Sequence, residues 1–328
     1  MADEIWTFSE QKNNQLREVS FELLTWGRKL ADQRDTPLCA VVLADDIPET
    51  ELNKLIQYGA DKVYLVQNPI FAHFLVEPQV HTMQHLVEIY HPEIILAAAT
   101  TTGRTVMPYL SILTHSGLTA DCTDLQIEPE TGNLLQIRPA IGGNIMATIK
   151  TPDTRPQMAT VRPKSINLPD ADPSRTGEII TVTVPAKALA SRMKFEKYAS
   201  EGTNTASLEE ANIVVSSGLG LQPEKFPLVE DLANALGAVM GSSRPPVDHG
   251  WQPYVRQVGL SGRTISPELY VACGISGAVQ HLAGIQTAKN IIAINSDPEA
   301  PIFQVADFGI VGDVDDVLPV LKKYVDEM

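Results

Sequence analysis

GSSRPPVDHGWQPYVRQVGLSGRTISPELYVACGISGAVQHLAG, residues 241–284, holds two near-copies of one pattern, Gly259-Leu260-Ser261-Gly262 and Gly274-Ile275-Ser276-Gly277, each at the end of an apolar run. Glycine at such a turn accepts φ > 0 and lets the backbone come close to a ligand, and free N–H groups at a following helix start favour negatively charged oxygens. The second copy runs into Ala278-Val279-Gln280-His281-Leu282, which reads as a helix with Ser276 as its N-cap. The stretch therefore predicts a strand–turn–helix cradle for a phosphate, of the kind found in α/β domains.

Around the cradle stand polar groups with few structural reasons to exist. Arg244 follows two serines, His281 interrupts an apolar helix, and Asn295 and Asp297 follow the strand Ile291–Ile294. PELYVACGISGAVQHLAGIQTAKNIIAINSDPEAPIFQVADFGIVGD, residues 267–313, resembles the C-terminal signature of the α subunit of electron transfer flavoproteins. GLTADC, residues 117–122, extends the resemblance into the first half, so it covers nearly the whole chain.

The resemblance implies FAD, whose isoalloxazine ring gains negative charge on reduction and rewards nearby positive groups. Matched onto the family motif, Arg244 lies against the ring, His281 donates toward O2 and stabilises an anionic semiquinone, and Ser261 offers its hydroxyl at N5, where many members carry threonine. Ser243, Val258, Gly259, Leu260, Ser276, Gly277, Ala278, Val279 and Gln280 would surround the flavin and its chain, mostly through backbone. Asn295 and Asp313 match positions near the adenosine part, whereas Asp297 reads as a turn cap. Leu219 and Leu260 depart from the family pattern, standing where many members carry arginine and glutamine.

Composition bounds the remaining classes. With 328 residues, 44% apolar and 20% charged, the chain has room for two globular domains. The opening MADEIWTFSE lacks the positive start and apolar core of a signal peptide, and no apolar run approaches the roughly 18 residues of a membrane span, so a cytoplasmic protein is expected. A net charge of −15 opposes a nucleic-acid role. Cys39, Cys122 and Cys273 are far apart, without metal-ligand spacing, and read as buried free thiols.

Along the chain, strand signals at 4–8, 38–43, 62–66 and 94–99 alternate with helix signals at 13–34, 51–58 and 80–90, the mark of a parallel sheet with helices on both faces. Ala97–Arg104 ends a strand where open α/β sheets place ligands, and Arg104 opens the next helix. Short alternating segments at 124–128, 134–138, 145–149, 157–162 and 179–184 read as antiparallel strands completing this domain. Lys187–Thr205 is polar and reads as a link on which the second domain swings as a unit. A second alternation follows, with strands at 213–218, 238–240, 269–272, 291–294 and 308–311, helices near 228–236 and 278–282, and a final helix. The expected fold is α/β in two domains, each a mostly parallel doubly wound sheet: 1–195, partner-binding, and 203–328, a FAD-binding Rossmann-like domain.

The family resemblance implies a heterodimer with an electron transfer flavoprotein β subunit, passing electrons to an acyl-CoA dehydrogenase-type flavoenzyme. RPAIGGNIMATI, residues 138–149, with TRPQMATVRP, residues 154–163, resembles the branch that bifurcates electrons from NADH, which adds NADH through the β subunit and ferredoxin or flavodoxin as partners. Two readings of other classes stand beside this one: an adenine-nucleotide sensor without redox chemistry, and a self-sufficient FAD dehydrogenase with His281 as its base.

Overall fold

The computed structural model describes residues 3–140, 145–197, 208–209 and 211–327. The chain divides into two compact units, Met1–Ala199 and Ser200–Met328.

In the first unit the order is β1 (Ile5–Ser9), a small hairpin of β2 (Gln11–Lys12) and β3 (Gln15–Leu16), α1 (Glu18–Arg34), β4 (Leu38–Ala44), α2 (Glu49–Gln57), β5 (Lys62–Gln67), α3 (Val76–Tyr90), β6 (Ile94–Ala98) and α4 (Thr101–Leu113). Then come β7 (Leu118–Cys122), β8 (Asp124–Ile127), β9 (Leu134–Pro139), β10 (Met146–Ile149), β11 (Gln157–Val161) and β12 (Glu178–Thr181). Seven of these strands form one parallel sheet in the order β12-β5-β4-β1-β6-β11-β7. Side chains alternate along a strand, and in β4 Leu38, Ala40 and Val42 face a core shared with α1 and α2, while Cys39, Val41 and Leu43 face one shared with α3 and α4. Both faces are buried, which is why β4 reads as an unbroken apolar run.

Two expectations are corrected here. The first helix begins at Glu18 rather than near residue 13, because Gln11–Leu16 turns back as a hairpin. Of the five segments expected to be antiparallel, only β8, β9 and β10 are; the strands at 157–161 and 178–181 run parallel in the main sheet. β11 is buried along its whole length between β6 and β7, and β12 is the half-exposed edge beside β5, so their mixed composition mimics alternation. The described part of the polar link lies along the first unit: Arg192 Nε donates to Glu77 Oε1 at 2.6 Å, and the Phe195 ring stacks on His73 with centroids 3.7 Å apart. Residues 198–205 of that link lie outside the described residues.

The second unit runs β13 (Ile213–Ser217), α5 (Phe226–Ala235), β14 (Val239–Ser242), α6 (Arg244–Asp248), β15 (Leu269–Cys273), α7 (Val279–Leu282), β16 (Asn290–Asn295), β17 (Phe308–Val311) and α8 (Val314–Asp326). Its sheet is wholly parallel, in the order β14-β13-β15-β16-β17. One face packs on α5 and α8 through Val215, Val271 and Ile294. The other, with Val214, Tyr270 and Ala293, is covered by the segments carrying Val258, Ile265, Ile285 and Ile302, so loops take the place of long helices there. Ile302 and Phe303 lie in a single 3-10 turn, Pro301–Gln304. Among the described residues of both units, no helix is long and apolar enough to cross a membrane, and no group of side chains has the makings of a metal site.

Candidate FAD-binding cleft

From β13 the chain passes to β14 on one side and then to β15 on the other, so the order reverses between β13 and β15. Open α/β sheets bind ligands outside the carboxyl ends of their strands at such a reversal. A cleft of about 650 Å³ opens there, a size suited to a cofactor. It is lined by the residues that follow the strands: Leu219 and Gly220 after β13, Ser243 and Arg244 after β14, Ile275 to Ala278 without Gly277 after β15, and Asn295 at the end of β16. The segment Val258–Ser261, with Gln280 and His281, closes the uncovered face.

Glycines hold these loops against one another. A Cβ on Gly218 would stand 2.0 Å from the carbonyl oxygen of Gly274, and one on Gly277, at φ +88°, 2.3 Å from the backbone nitrogen of Ile302. Both contacts are far inside van der Waals range, so the missing side chains serve the approach of loop to loop. Gly259 is likewise left-handed, whereas Gly262 is not.

Ser276 caps no helix. α7 starts at Val279 and has four residues, with Ala278 in the capping position and no side-chain cap bond. The consequence favours an anion: among the described residues the N–H groups of Ser276, Gly277, Ala278 and Val279 donate to no protein acceptor, leaving a run of free donors. The Ser261 hydroxyl accepts from Gln257 Nε2 at 3.1 Å and keeps its own proton to give. Arg244 pairs with Asp248, Nε to Oδ2 at 3.0 Å, on the cleft wall.

His281 is 6% exposed, and the protein takes both its ring nitrogens: Nε2 is 2.8 Å from the Tyr270 hydroxyl and Nδ1 3.1 Å from the Val258 carbonyl. A carbonyl can only accept, so Nδ1 carries the hydrogen and Nε2 accepts from Tyr270. Burial pushes the imidazole down to about 4, against the pull of the Val258 carbonyl, and the ring is neutral at pH 7. His281 thus anchors the 258–262 loop at its first residue while lining the cleft.

Eleven of the fourteen residues singled out in the sequence line this one cleft. Gly277 lies behind it under Ile302, Val279 is exposed beside it, and Asp313 is away from it. Asp313 accepts from the Asp315 N–H as N-cap of α8 and sits 3.6 Å from Lys225. Asp297 caps its turn by accepting from the Glu299 N–H, as read, yet also lines the cleft. The sequence reading missed Asp248, whose i+4 spacing from Arg244 was a usable signal, and Ala300 and Pro301, for which there was none.

The chain matches two family descriptions: "Electron transfer flavoprotein domain" over residues 5–187 and "Electron transfer flavoprotein FAD-binding domain" over residues 207–286. This chain belongs to the electron transfer flavoprotein α-subunit family. It is 46% identical to the electron transfer flavoprotein subunit alpha of Thermoanaerobacterium thermosaccharolyticum over 97% of this chain and 96% of that one. It is 40% identical to the subunit alpha of Megasphaera elsdenii over 97% and 95% of the two chains. Similarity at 39% extends to subunit LctC of the lactate dehydrogenase (NAD(+),ferredoxin) of Acetobacterium woodii, over 97% of this chain and 75% of that one. FAD is the cofactor of this family, which leaves a nucleotide sensor without redox chemistry unsupported.

The cleft fits that cofactor. Free amides at 276–279 suit a diphosphate, Ser261 can donate to a ring nitrogen, and Arg244 supplies a positive charge. Leu219 and Leu260, 49% and 73% exposed, give the cleft two apolar side chains.

Proposed function

We propose that this chain is one half of a heterodimer with an electron transfer flavoprotein β subunit, relaying electrons between an acyl-CoA dehydrogenase-type flavoenzyme and other redox partners. FAD, when bound, supplies one- and two-electron transfer. The chain's own residues bind and tune it. The amides of Ser276 to Val279 and the cleft walls hold it, the Ser261 hydroxyl gives a hydrogen bond, and Arg244 favours negative charge in the cleft. Neutral His281 fixes the 258–262 loop through the Val258 carbonyl. The observation that carries this reading is the run of unclaimed amides at the strand-order reversal of the second sheet.

The partner reading goes one step further, with NADH entering through the β subunit and ferredoxin or flavodoxin taking part of the electrons. Its support is the 39% identity to LctC, a subunit whose enzyme is named for NAD(+) and ferredoxin, together with the 138–149 and 154–163 segments. Co-expression with the β subunit from the same genome, followed by a count of flavin per heterodimer, tests both levels. Two FAD per heterodimer and NADH-driven ferredoxin reduction are expected. One FAD accompanied by AMP would reduce the reading to plain electron transfer, and a stable flavin-loaded monomer indifferent to the β subunit would overturn the heterodimer.

A further inference from the structure

No positive φ calls for glycine at position 262, the last of the 259–262 turn. Its empty space has another use. A Cβ there would stand 2.8 Å from Gln257 Cγ and closer still to the Gln257 carbonyl oxygen, so the missing side chain lets Gln257 fold beneath the turn. Gln257 is fixed in that place: it is 4% exposed, its N–H donates to the Tyr254 carbonyl at 2.9 Å, and its own carbonyl accepts from the Arg263 N–H at 2.7 Å. Its backbone also bridges to Ser242 at the end of β14.

From there Gln257 Nε2 donates to the Ser261 hydroxyl at 3.1 Å, the one hydrogen bond this nitrogen makes among the described residues. Ser261 lines the cleft and Gln257 does not, so the amide reaches the hydroxyl from behind. The Ser261 backbone is held as well, its carbonyl accepting from the Tyr254 hydroxyl at 3.1 Å. What remains free is the rotation of a side chain that, unlike threonine, has no second branch on Cβ to restrict it.

We propose that Gln257 is a positioning residue for the cofactor: by donating to Ser261 Oγ from the protein side, it keeps that hydroxyl from sending its proton back into the turn and aims it, as a donor, into the cleft. A hydroxyl has one proton to give, and an amide N–H can only take up a lone pair, so the proton is left for the ring of FAD. This role rests on Ser261 giving a hydrogen bond to a ring nitrogen, and adds what sets its direction. A donor fixed beforehand stabilises the forms of the ring whose nitrogen carries no hydrogen, most of all one bearing negative charge, without reorganising when that charge arrives.

The test compares Gln257→Met, Ser261→Ala and the double variant in the full-length, FAD-loaded chain prepared with its β subunit, read at the flavin whose potential Ser261→Ala moves. Each single substitution is expected to lower the potential for the first electron and to weaken binding of oxidised FAD about threefold to tenfold, and the double variant to match Ser261→Ala alone. In a Ser261→Thr background, where the added methyl restricts rotation, Gln257→Met is expected to cost less. Gln257→Glu keeps the shape of the side chain and serves if the methionine variant does not fold. At about pH 8 its carboxylate takes the Ser261 proton and the potential falls, and on acidification the protonated carboxyl donates again and the difference from the parent shrinks. A silent Ser261→Ala overturns the part given to Ser261 and that of Gln257 with it. An effective Ser261→Ala beside silent Gln257 variants overturns the role of Gln257 alone, as does a Gln257→Met effect that persists undiminished in the Ser261→Ala background.

Discussion

The Tyr270 hydroxyl donates to His281 Nε2 across 2.8 Å inside the second unit, from the middle of β15 to the short helix α7. Both groups are buried, so neither has water as an alternative partner. Tyr270→Phe leaves Nε2 an acceptor without a donor and is expected to lower stability by about 1–3 kcal/mol. Denaturant unfolding measures the change, and a variant as stable as the parent would remove this bond from the fold's support.

The same histidine makes stability depend on pH. Its folded pKa lies at about 4, below the 6.5 of an unperturbed imidazole, with burial the main cause. Between those values the unfolded chain takes up a proton that the folded chain refuses. Stability contributed at this site is therefore full above pH 6.5, falls as pH drops from 6.5 toward 4, and levels off below. Unfolding of the parent and of His281→Gln at about pH 7 and about pH 5 should show a smaller pH-linked loss in the variant. Equal losses would place the titration elsewhere.

Arg244→Ala is expected to lower the potential at which bound FAD accepts its first electron. Removing a cation from the cleft withdraws stabilisation from the reduced, negatively charged ring more than from the oxidised one, by some tens of millivolts. Partial exposure of Arg244 and its pair with Asp248 moderate the effect. Redox titration reads it, and an unshifted potential with full FAD content would exclude Arg244 from the electrostatics of the site.

Gly277→Ala tests the loop contacts. The added methyl meets Ile302 nitrogen at 2.3 Å, and φ is +88°. A loss of about 1–3 kcal/mol and a fall in FAD content are expected, because the 276–279 amides cannot keep their places while Ile302 moves away. Thermal unfolding with flavin absorbance separates the two effects; a variant with parental values in both would show that the loops yield freely.

All three cysteines are buried, with the Cys122 and Cys273 thiols pushed up to about 12 by burial. Thiol reagents at about pH 8 should label none of them in the folded chain and all three after unfolding. Labelling of the native protein would mean that a core strand opens.

The regular parts of the fold were open to sequence reading because their cause is local. β4 and β15 announce themselves by continuous apolar runs, and the helices from Val76 and Phe226 by spacing. β7 was invisible as a strand, since Leu118-Thr-Ala-Asp-Cys122 owes its form to pairing with β11, some forty residues on. In the cleft, Arg244, Ser261 and His281 were legible as residue types in a motif. Their partners were not: the His281 bond to Tyr270 and the Gly277 contact with Ile302 join elements whose proximity only the assembled sheet determines. Asp313, read from the motif alone, also has a local task that the sequence did not announce, accepting from the Asp315 N–H at the start of α8.

The space where Gly218 would carry a side chain is filled by the Gly274 carbonyl oxygen, and Gly274 itself is left-handed at φ +61° with Leu221 against it. No substitution at one of these positions can compensate for a substitution at the other, because each would add atoms to the same filled space or force the same backbone. Neither site offers a neutral first step to drift. The floor of the cleft can thus persist while the side chains around its rim, Leu219 and Leu260 among them, change one at a time and retune what the unaltered backbone holds.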